Sequence, residues 1–246
     1  MRYSSVAIPL ALAARAAAVE SDVWAFGNGF YTGPPTNAHI TRATWSLVPP
    51  DVPSNYTVNN TDDEVWVSLW IGLSSTAGDY DADLYQPLLN WSPDNESQGC
   101  PAPDDEWCVA ASTYTPDGQN GQAYVTVPTD TQVDFEVYVE NDKVYQVVTM
   151  NGKTVSKESD ALDNPLLYLY SGDECYTGSG DCGTLQSYSW NNLTIHLSAA
   201  DENFGDTLSL YSGSSSNGLT TSDKGKTWHT DAIKISKDTF ATVSDY

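Results

Sequence analysis

The chain has 246 residues and a formal net charge of -23 at pH 7, from 33 Asp and Glu residues against 10 Lys and Arg residues. This length can bury a self-sufficient hydrophobic core, which excludes a short peptide held together only by disulfides. Affinity for phosphate backbones comes mainly from Lys and Arg, so the charge balance also argues against a nucleic-acid partner. No basic residue lies between Arg42 and Lys143, which favours either a solvated acidic surface or a protein adapted to acidic surroundings.

The first 18 residues have the pattern of a secretory signal. Arg2 precedes an apolar run over residues 6–14 and three alanines at 16–18, which predicts cleavage after Ala18. The run is shorter than the ~20 apolar residues that a membrane span requires. We therefore predict a secreted, extracellular protein with a signal peptide over residues 1–18 and no membrane span.

The rest of the chain has the pattern of an all-β protein. Segments of alternating or continuous β-branched and aromatic residues recur, and no stretch shows a helical period; the segments are 39–48, 65–73, 84–91, 123–127, 133–139, 144–149, 166–170, 189–197 and 207–211. Asn151-Gly152 between two of them predicts a type I′ hairpin. We predict two packed antiparallel sheets over residues 19–211, then a Gly/Ser-rich linker and a basic C-terminal extension over residues 212–246.

The cysteines and the glycosylation sequons agree with export. The four cysteines form two close couples, and in an oxidising compartment the simplest pairing is Cys100 with Cys108 and Cys175 with Cys182. A thiol nucleophile or a zinc site is the competing interpretation, but the chain has no C-x-x-C and only three histidines. We expect no metal and no cofactor. The predicted N-glycosylation sites are Asn55, Asn59, Asn95 and Asn192.

The order of several motifs resembles one peptidase family. Trp70-Ile-Gly-Leu is followed by a strand with Gln86 and, five residues on, Trp91; later, Glu174-Cys175 opens a short loop that Cys182 closes. This order is similar to the eqolisins, or glutamic peptidases, which are fungal-type acid peptidases. The resemblance covers about residues 22–200 and implies a concanavalin-like antiparallel β-sandwich of the jelly-roll type. It also implies that Gln86 is the catalytic glutamine, which would orient a water and stabilise an oxyanion.

The same resemblance places Leu166 where the family has its catalytic glutamate, and leucine cannot accept a proton. Asp173 and Glu174 lie nearby but match acidic loop residues of the family, so we expect them to be solvated. Glu136 shares a strand face with Asp134 and Glu140, and neighbouring carboxylates could act as an acid/base pair, as in glycoside hydrolases. An exposed polar strand face is the simpler interpretation of those three residues.

The leading hypothesis from the sequence is a monomeric binding protein without peptidase activity. It would hold an extended glycan or polypeptide in a sheet groove around Gln86, lined by Trp70, Trp91 and Glu136, because amides and carboxylates beside aromatic rings suit such ligands. The alternative is an active acid endopeptidase or glycan-cleaving enzyme with a relocated carboxylate. A structural surface protein with no groove is the third possibility.

Overall fold

The computed structural model describes residues 23–59, 64–78, 81–178, 180–211 and 213–240, with Val23 and Trp24 described by backbone alone. The predicted signal peptide lies outside these residues.

The described chain is built almost entirely of short and medium strands, with one 3-10 turn at Phe204–Thr207. In chain order the strands are β1 (Val23–Phe26), β2 (Phe30–Thr32), β3 (Ile40–Leu47), β4 (Trp66–Ser74), β5 (Leu84–Tyr85), β6 (Leu88–Trp91), β7 (Trp107–Ala110), β8 (Ser112–Thr115), β9 (Gly118–Gly121), β10 (Val125–Val127), β11 (Val133–Glu140), β12 (Lys143–Met150), β13 (Lys153–Ala161), β14 (Tyr168–Thr177), β15 (Tyr188–Leu197), β16 (Ser209–Leu210), β17 (Ser214–Ser216) and β18 (Thr227–Ile235).

These strands form two antiparallel sheets. The first has eleven strands, with a main path β10-β7-β6-β4-β14-β2-β16 and the short strands β1, β5, β8 and β9 attached to it. The second has seven strands in the order β13-β12-β11-β3-β15-β18-β17. The architecture is the concanavalin-like, jelly-roll β-sandwich that the sequence predicts.

The main core lies between the two sheets, but the sheets differ on their outer faces. In β11, buried Val133, Phe135 and Val137 alternate with half-buried Asp134, Glu136 and Tyr138, so the second sheet is covered on one face only. In β4, all nine residues are buried, so the first sheet is covered on both faces. This difference decides which predicted site residues can reach a ligand.

The local turn and disulfide predictions are confirmed. Asn151 and Gly152 join β12 to β13 with positive φ values of 51° and 72°, as a type I′ turn requires. The disulfides Cys100–Cys108 and Cys175–Cys182 are both formed.

The segment after residue 212 differs from the predicted linker and extension. Its β18 pairs with β15 from Tyr188↔Ile235 to His196↔Thr227, and β17 pairs with β18 at the sheet edge. Trp228, Ile233 and Ile235 are buried in the main core. The prediction of a linker and extension fails because β18 completes the second sheet beside β15. Residues 214–235 therefore belong to the sandwich itself.

The four sequons lie in different environments. Asn55, Asn59 and Asn192 are exposed. Asn95 is fully buried, and its side-chain amide donates to the carbonyl oxygens of Pro103 (2.8 Å) and Glu106 (3.0 Å). A glycan on that nitrogen would need space that the fold fills, so this structure argues against Asn95 as a modified residue.

Candidate functional site

Two of the four predicted groove residues share one face of the first sheet. Trp70 and Gly72 are two residues apart on β4, and a Cβ built on Gly72 would lie 3.2 Å from the Gln86 Cβ. Trp70 and Gln86 therefore lie together on the outer face of this sheet. Trp91 instead belongs to the main core, where its indole N–H donates to the Asp104 carbonyl oxygen (2.6 Å), and Glu136 lies on the other sheet.

The outer face of the first sheet, hereafter the covered face, is not an open groove in this structure. Trp70 is 6% exposed and Gln86 is 3% exposed. Trp70 belongs to a second hydrophobic cluster on this face, together with Leu84, Leu88, Cys100, Ala102, Cys108, Ala110 and Tyr124. Cys100 and Ala102 come from the connection between β6 and β7, which the Cys100–Cys108 disulfide holds against the sheet.

Glu174 is buried on the covered face, contrary to the expectation of a solvated loop. It lies in β14 opposite Ser68, and the Trp70 indole N–H donates to its Oε2 (3.1 Å). The indole lies over Gly172, where a Cβ would come within 2.5 Å of the ring. Burial raises the pKa of Glu174 to about 7, and the indole hydrogen bond opposes this rise. The carboxyl can therefore gain or lose a proton near neutral pH.

Gln86 and Glu174 do not form the coupled glutamine–glutamate pair of a glutamic peptidase. The Gln86 amide donates to Gln119 Oε1 (3.3 Å), and the Gln119 amide in turn donates to the Ser112 hydroxyl. Gln86 Oε1 is buried without a hydrogen-bond partner among the described residues. Leu166 is 1% exposed in the main core, bridged to Ile40, so no carboxyl group stands at that position.

Asp173 is the neighbour of Glu174 on β14 but points to the opposite side of the sheet. It is fully buried, and the Tyr188 hydroxyl donates to its Oδ1. Burial raises the pKa of Asp173 to about 8; the Tyr188 hydrogen bond lowers it, and the nearby Asp238 carboxylate raises it further. Neither Asp173 nor Glu174 is the solvated loop residue that the sequence predicts, because β14 continues through both of them to Thr177.

The outer face of the second sheet, hereafter the open face, carries half-exposed polar and aromatic side chains. Strand register places five of them side by side on neighbouring strands, in the order Tyr145, Tyr138, Arg42, His196 and Thr227. Glu136 stands in the next row, where its carboxylate accepts from Arg42 Nε (2.8 Å). Glu136, one of the predicted binding residues, therefore belongs to a polar and aromatic surface on the second sheet and not to the predicted groove around Gln86.

The open face combines an aromatic pair with charged groups. The Tyr138 and Tyr145 rings are stacked, with centroids 5.0 Å apart, and Lys157 Nζ lies 5.6 Å from the centroid of the Tyr145 ring. Burial and then the Arg42 charge lower the pKa of His196, which favours the neutral imidazole, and the Asp223 carboxylate opposes this shift. Its Nδ1 lies 3.3 Å from the Thr227 hydroxyl. The arrangement can offer a ligand apolar ring surface, charged and hydroxyl donors, and a carboxylate acceptor together.

Sequence reasoning missed most of the open face. The polar alternation of residues 133–139 and 144–149 could have indicated that Tyr138 and Tyr145 meet across the turn at Asn141-Asp142. Arg42 and His196 come from β3 and β15, 154 residues apart in the pairing His196↔Arg42. Their juxtaposition depends on strand order, for which the sequence carries no local signal.

Among the described residues, no three His, Cys, Asp or Glu side chains are placed to hold a metal ion. In the same residues no helix is long and apolar enough to cross a membrane.

No protein-family model matches the chain, and no curated protein does, so the eqolisin resemblance stays a prediction. Solved structures with a similar arrangement include sheep galectin-11 (10% identity, 61% of this chain and 94% of that chain, TM-score 0.32). Another is the β-glucanase of Bacillus licheniformis (10% identity, 81% of this chain and 67% of that chain, TM-score 0.34). A third is peanut lectin (11% identity, 72% of this chain and 83% of that chain, TM-score 0.31). At these identities and TM-scores the function must be argued from the chain's own residues.

Proposed function

We propose that the protein is a secreted glycan-binding β-sandwich, and that it holds a neutral polysaccharide chain on the open face. The observation that carries this proposal is the row of Tyr145, Tyr138, Arg42 and His196 across four adjacent strands, with Glu136 paired to Arg42.

The chemistry of the row suits sugar hydroxyls. A sugar ring has apolar C–H faces and a rim of hydroxyls, each of which can donate and accept. The half-exposed Tyr138 and Tyr145 rings supply apolar surface, and charged groups form the stronger hydrogen bonds with hydroxyls. Arg42 and Glu136 neutralise each other at 2.8 Å, which favours an uncharged ligand.

Access favours the open face over the predicted groove. A polymer must reach its binding residues from solvent, and Gln86 and Trp70 are almost fully buried. On the open face, the Arg42 side chain is 51% exposed and the Glu136 side chain is 30% exposed. The binding function of the leading sequence hypothesis is therefore retained but moved to the second sheet.

The test is affinity electrophoresis of the purified chain through gels that contain laminarin, mannan or xylan. We expect at least one of these neutral polysaccharides to retard the protein. Tyr138→Ala or Arg42→Ala should weaken that binding by about tenfold, which corresponds to about 1.4 kcal/mol. Tyr211→Ala is the matched control, because Tyr211 is an exposed tyrosine outside the row. Equal retardation of the variants and the wild type, or no retardation in any gel, would contradict the proposal.

A second candidate function is an acid hydrolase that uses Glu174 as a relocated general acid, which requires the elements over the covered face to move aside because this residue is only 5% exposed. Its pKa of about 7 and its hydrogen bond to Trp70 are features of a group that transfers protons. We expect that any cleavage of acid-denatured protein or of polysaccharide between pH 3 and pH 6 would be abolished by Glu174→Gln and retained by Glu136→Gln. Cleavage that survives Glu174→Gln would rule out this assignment.

A further inference from the structure

The segment that precedes β4 displays apolar side chains to solvent. Among the described residues, the exposed large hydrophobic side chains are Val48, Tyr56, Val58 and Tyr211, and the first three belong to residues 48–58. Tyr56 is 39% exposed and Val58 is 45% exposed. Tyr56 and Val58 are two residues apart in the chain, and a contiguous exposed apolar patch marks a place that something else covers.

The position of Tyr56 is fixed by the surrounding structure. Backbone hydrogen bonds join Ser54 to Thr184 (3.0 and 2.7 Å) and Thr57 to Asp181 (both 3.0 Å). The Tyr56 ring also packs edge-on against the buried Trp91 ring, with centroids 5.3 Å apart. The exposed side of Tyr56 is therefore a feature of the folded state and not of a loose loop.

Two sequons flank these apolar side chains. Asn55-Tyr56-Thr57 contains Tyr56 itself, and Asn59-Asn-Thr begins directly after Val58. Asn55 and Asn59 are both exposed, and Asn55 lies at a turn with φ 60°. An oligosaccharide attached at either asparagine starts within a few residues of the exposed Tyr56 ring.

We propose that Asn55 and Asn59 carry N-linked glycans and that the first sugars of these glycans cover Tyr56 and Val58. The C–H face of the first N-acetylglucosamine would pack on the Tyr56 ring, and the outer sugars would replace an apolar surface with a hydrated one. This proposal rests on the secretion that the proposed function includes, but not on glycan binding by the open face.

The test compares tyrosine nitration in glycosylated and deglycosylated protein. The chain is secreted from a eukaryotic host behind that host's own signal peptide, and glycopeptide mass spectrometry reads the occupancy of each sequon. Tyr56 and Tyr211 have similar exposures, 39% and 37%, so Tyr211 is an internal reference for nitration by tetranitromethane. We expect Asn55 and Asn59 to be occupied and Tyr56 to lose most of its nitration relative to Tyr211.

Two treatments keep the result independent of folding defects. Enzymatic removal of the glycans from the folded protein, and the double variant Asn55→Gln/Asn59→Gln, should each restore nitration of Tyr56 to the level of Tyr211. Asn192→Gln is the control, because it removes an exposed sequon on β15 of the second sheet. Unoccupied Asn55 and Asn59, or equal nitration of Tyr56 with and without glycans, would overturn the proposal. Neither outcome affects the polysaccharide test of the open face.

Discussion

The free energy of unfolding is expected to be highest in acid and to decrease as pH rises from about 4 to about 8. Asp173 and Glu174 are both buried, and their pKa values are raised to about 8 and about 7 from ordinary values of 3.8 and 4.5. The folded protein therefore binds more protons than the unfolded chain between those limits. The two carboxyl groups stabilise the fold fully at pH values below their pKa values in the unfolded chain. This stabilisation is lost as the pH rises through their pKa values in the folded protein.

The expected slope is steep because two groups act in the same direction. Each carboxyl group contributes about 1.4 kcal/mol per pH unit over the range in which it is protonated only in the folded state. The groups that face them do not supply a compensating positive charge: Trp70 donates to Glu174, while Tyr188 and Asp238 lie beside Asp173. A net charge of -23 adds repulsion in the same pH range.

Urea denaturation at a series of pH values between 4 and 8 measures this slope. We expect Asp173→Asn and Glu174→Gln each to flatten it, because the amides cannot ionise. Glu202→Gln changes an exposed carboxylate and should leave the slope unchanged. A wild-type stability that increases towards pH 8, or a slope that survives both substitutions, would show that these carboxyl groups are ionised in the fold.

Truncation after Tyr211 is expected to prevent folding. This would remove β17 and β18, and with them the buried side chains of Trp228, Ile233 and Ile235. Complete burial of such a side chain contributes about 1.5–3 kcal/mol, against a total stability of about 5–15 kcal/mol for a domain. The loss of β18 would also leave β15 without a partner along one edge and expose Trp190 and Ile195.

Circular dichroism and protease resistance of residues 19–211 and 19–240 test this expectation. The shorter chain should lack a cooperative unfolding transition. In the full chain, Trp228→Ala should lower the free energy of unfolding by about 3–5 kcal/mol, and exposed Lys234→Ala on the same strand should change it little. A stably folded 19–211 fragment would show that the C-terminal strands are dispensable, as the predicted domain boundary implies.

The amino-acid sequence by itself determined the features that depend on near neighbours along the chain. Alternation of apolar and polar residues identified most of the long strands, Asn151-Gly152 predicted a two-residue turn, and cysteines eight and seven residues apart predicted both disulfides. These features follow from local backbone geometry and short loop closure. β18 was missed because the Gly/Ser-rich stretch before it resembles a linker, although its side chains complete the second sheet.

Only the tertiary structure decided which side chains are accessible and which are neighbours. It buried Gln86 and Trp70 on the covered face, placed Glu174 against the Trp70 indole, and left Glu136 paired to Arg42 on the other sheet. The sequence around Glu174 is equally compatible with a solvated loop, because its neighbours Phe26 on β1 and Trp70 on β4 lie far earlier in the chain. Strand order and register between distant segments set these contacts, and neither is encoded in any local pattern of residues.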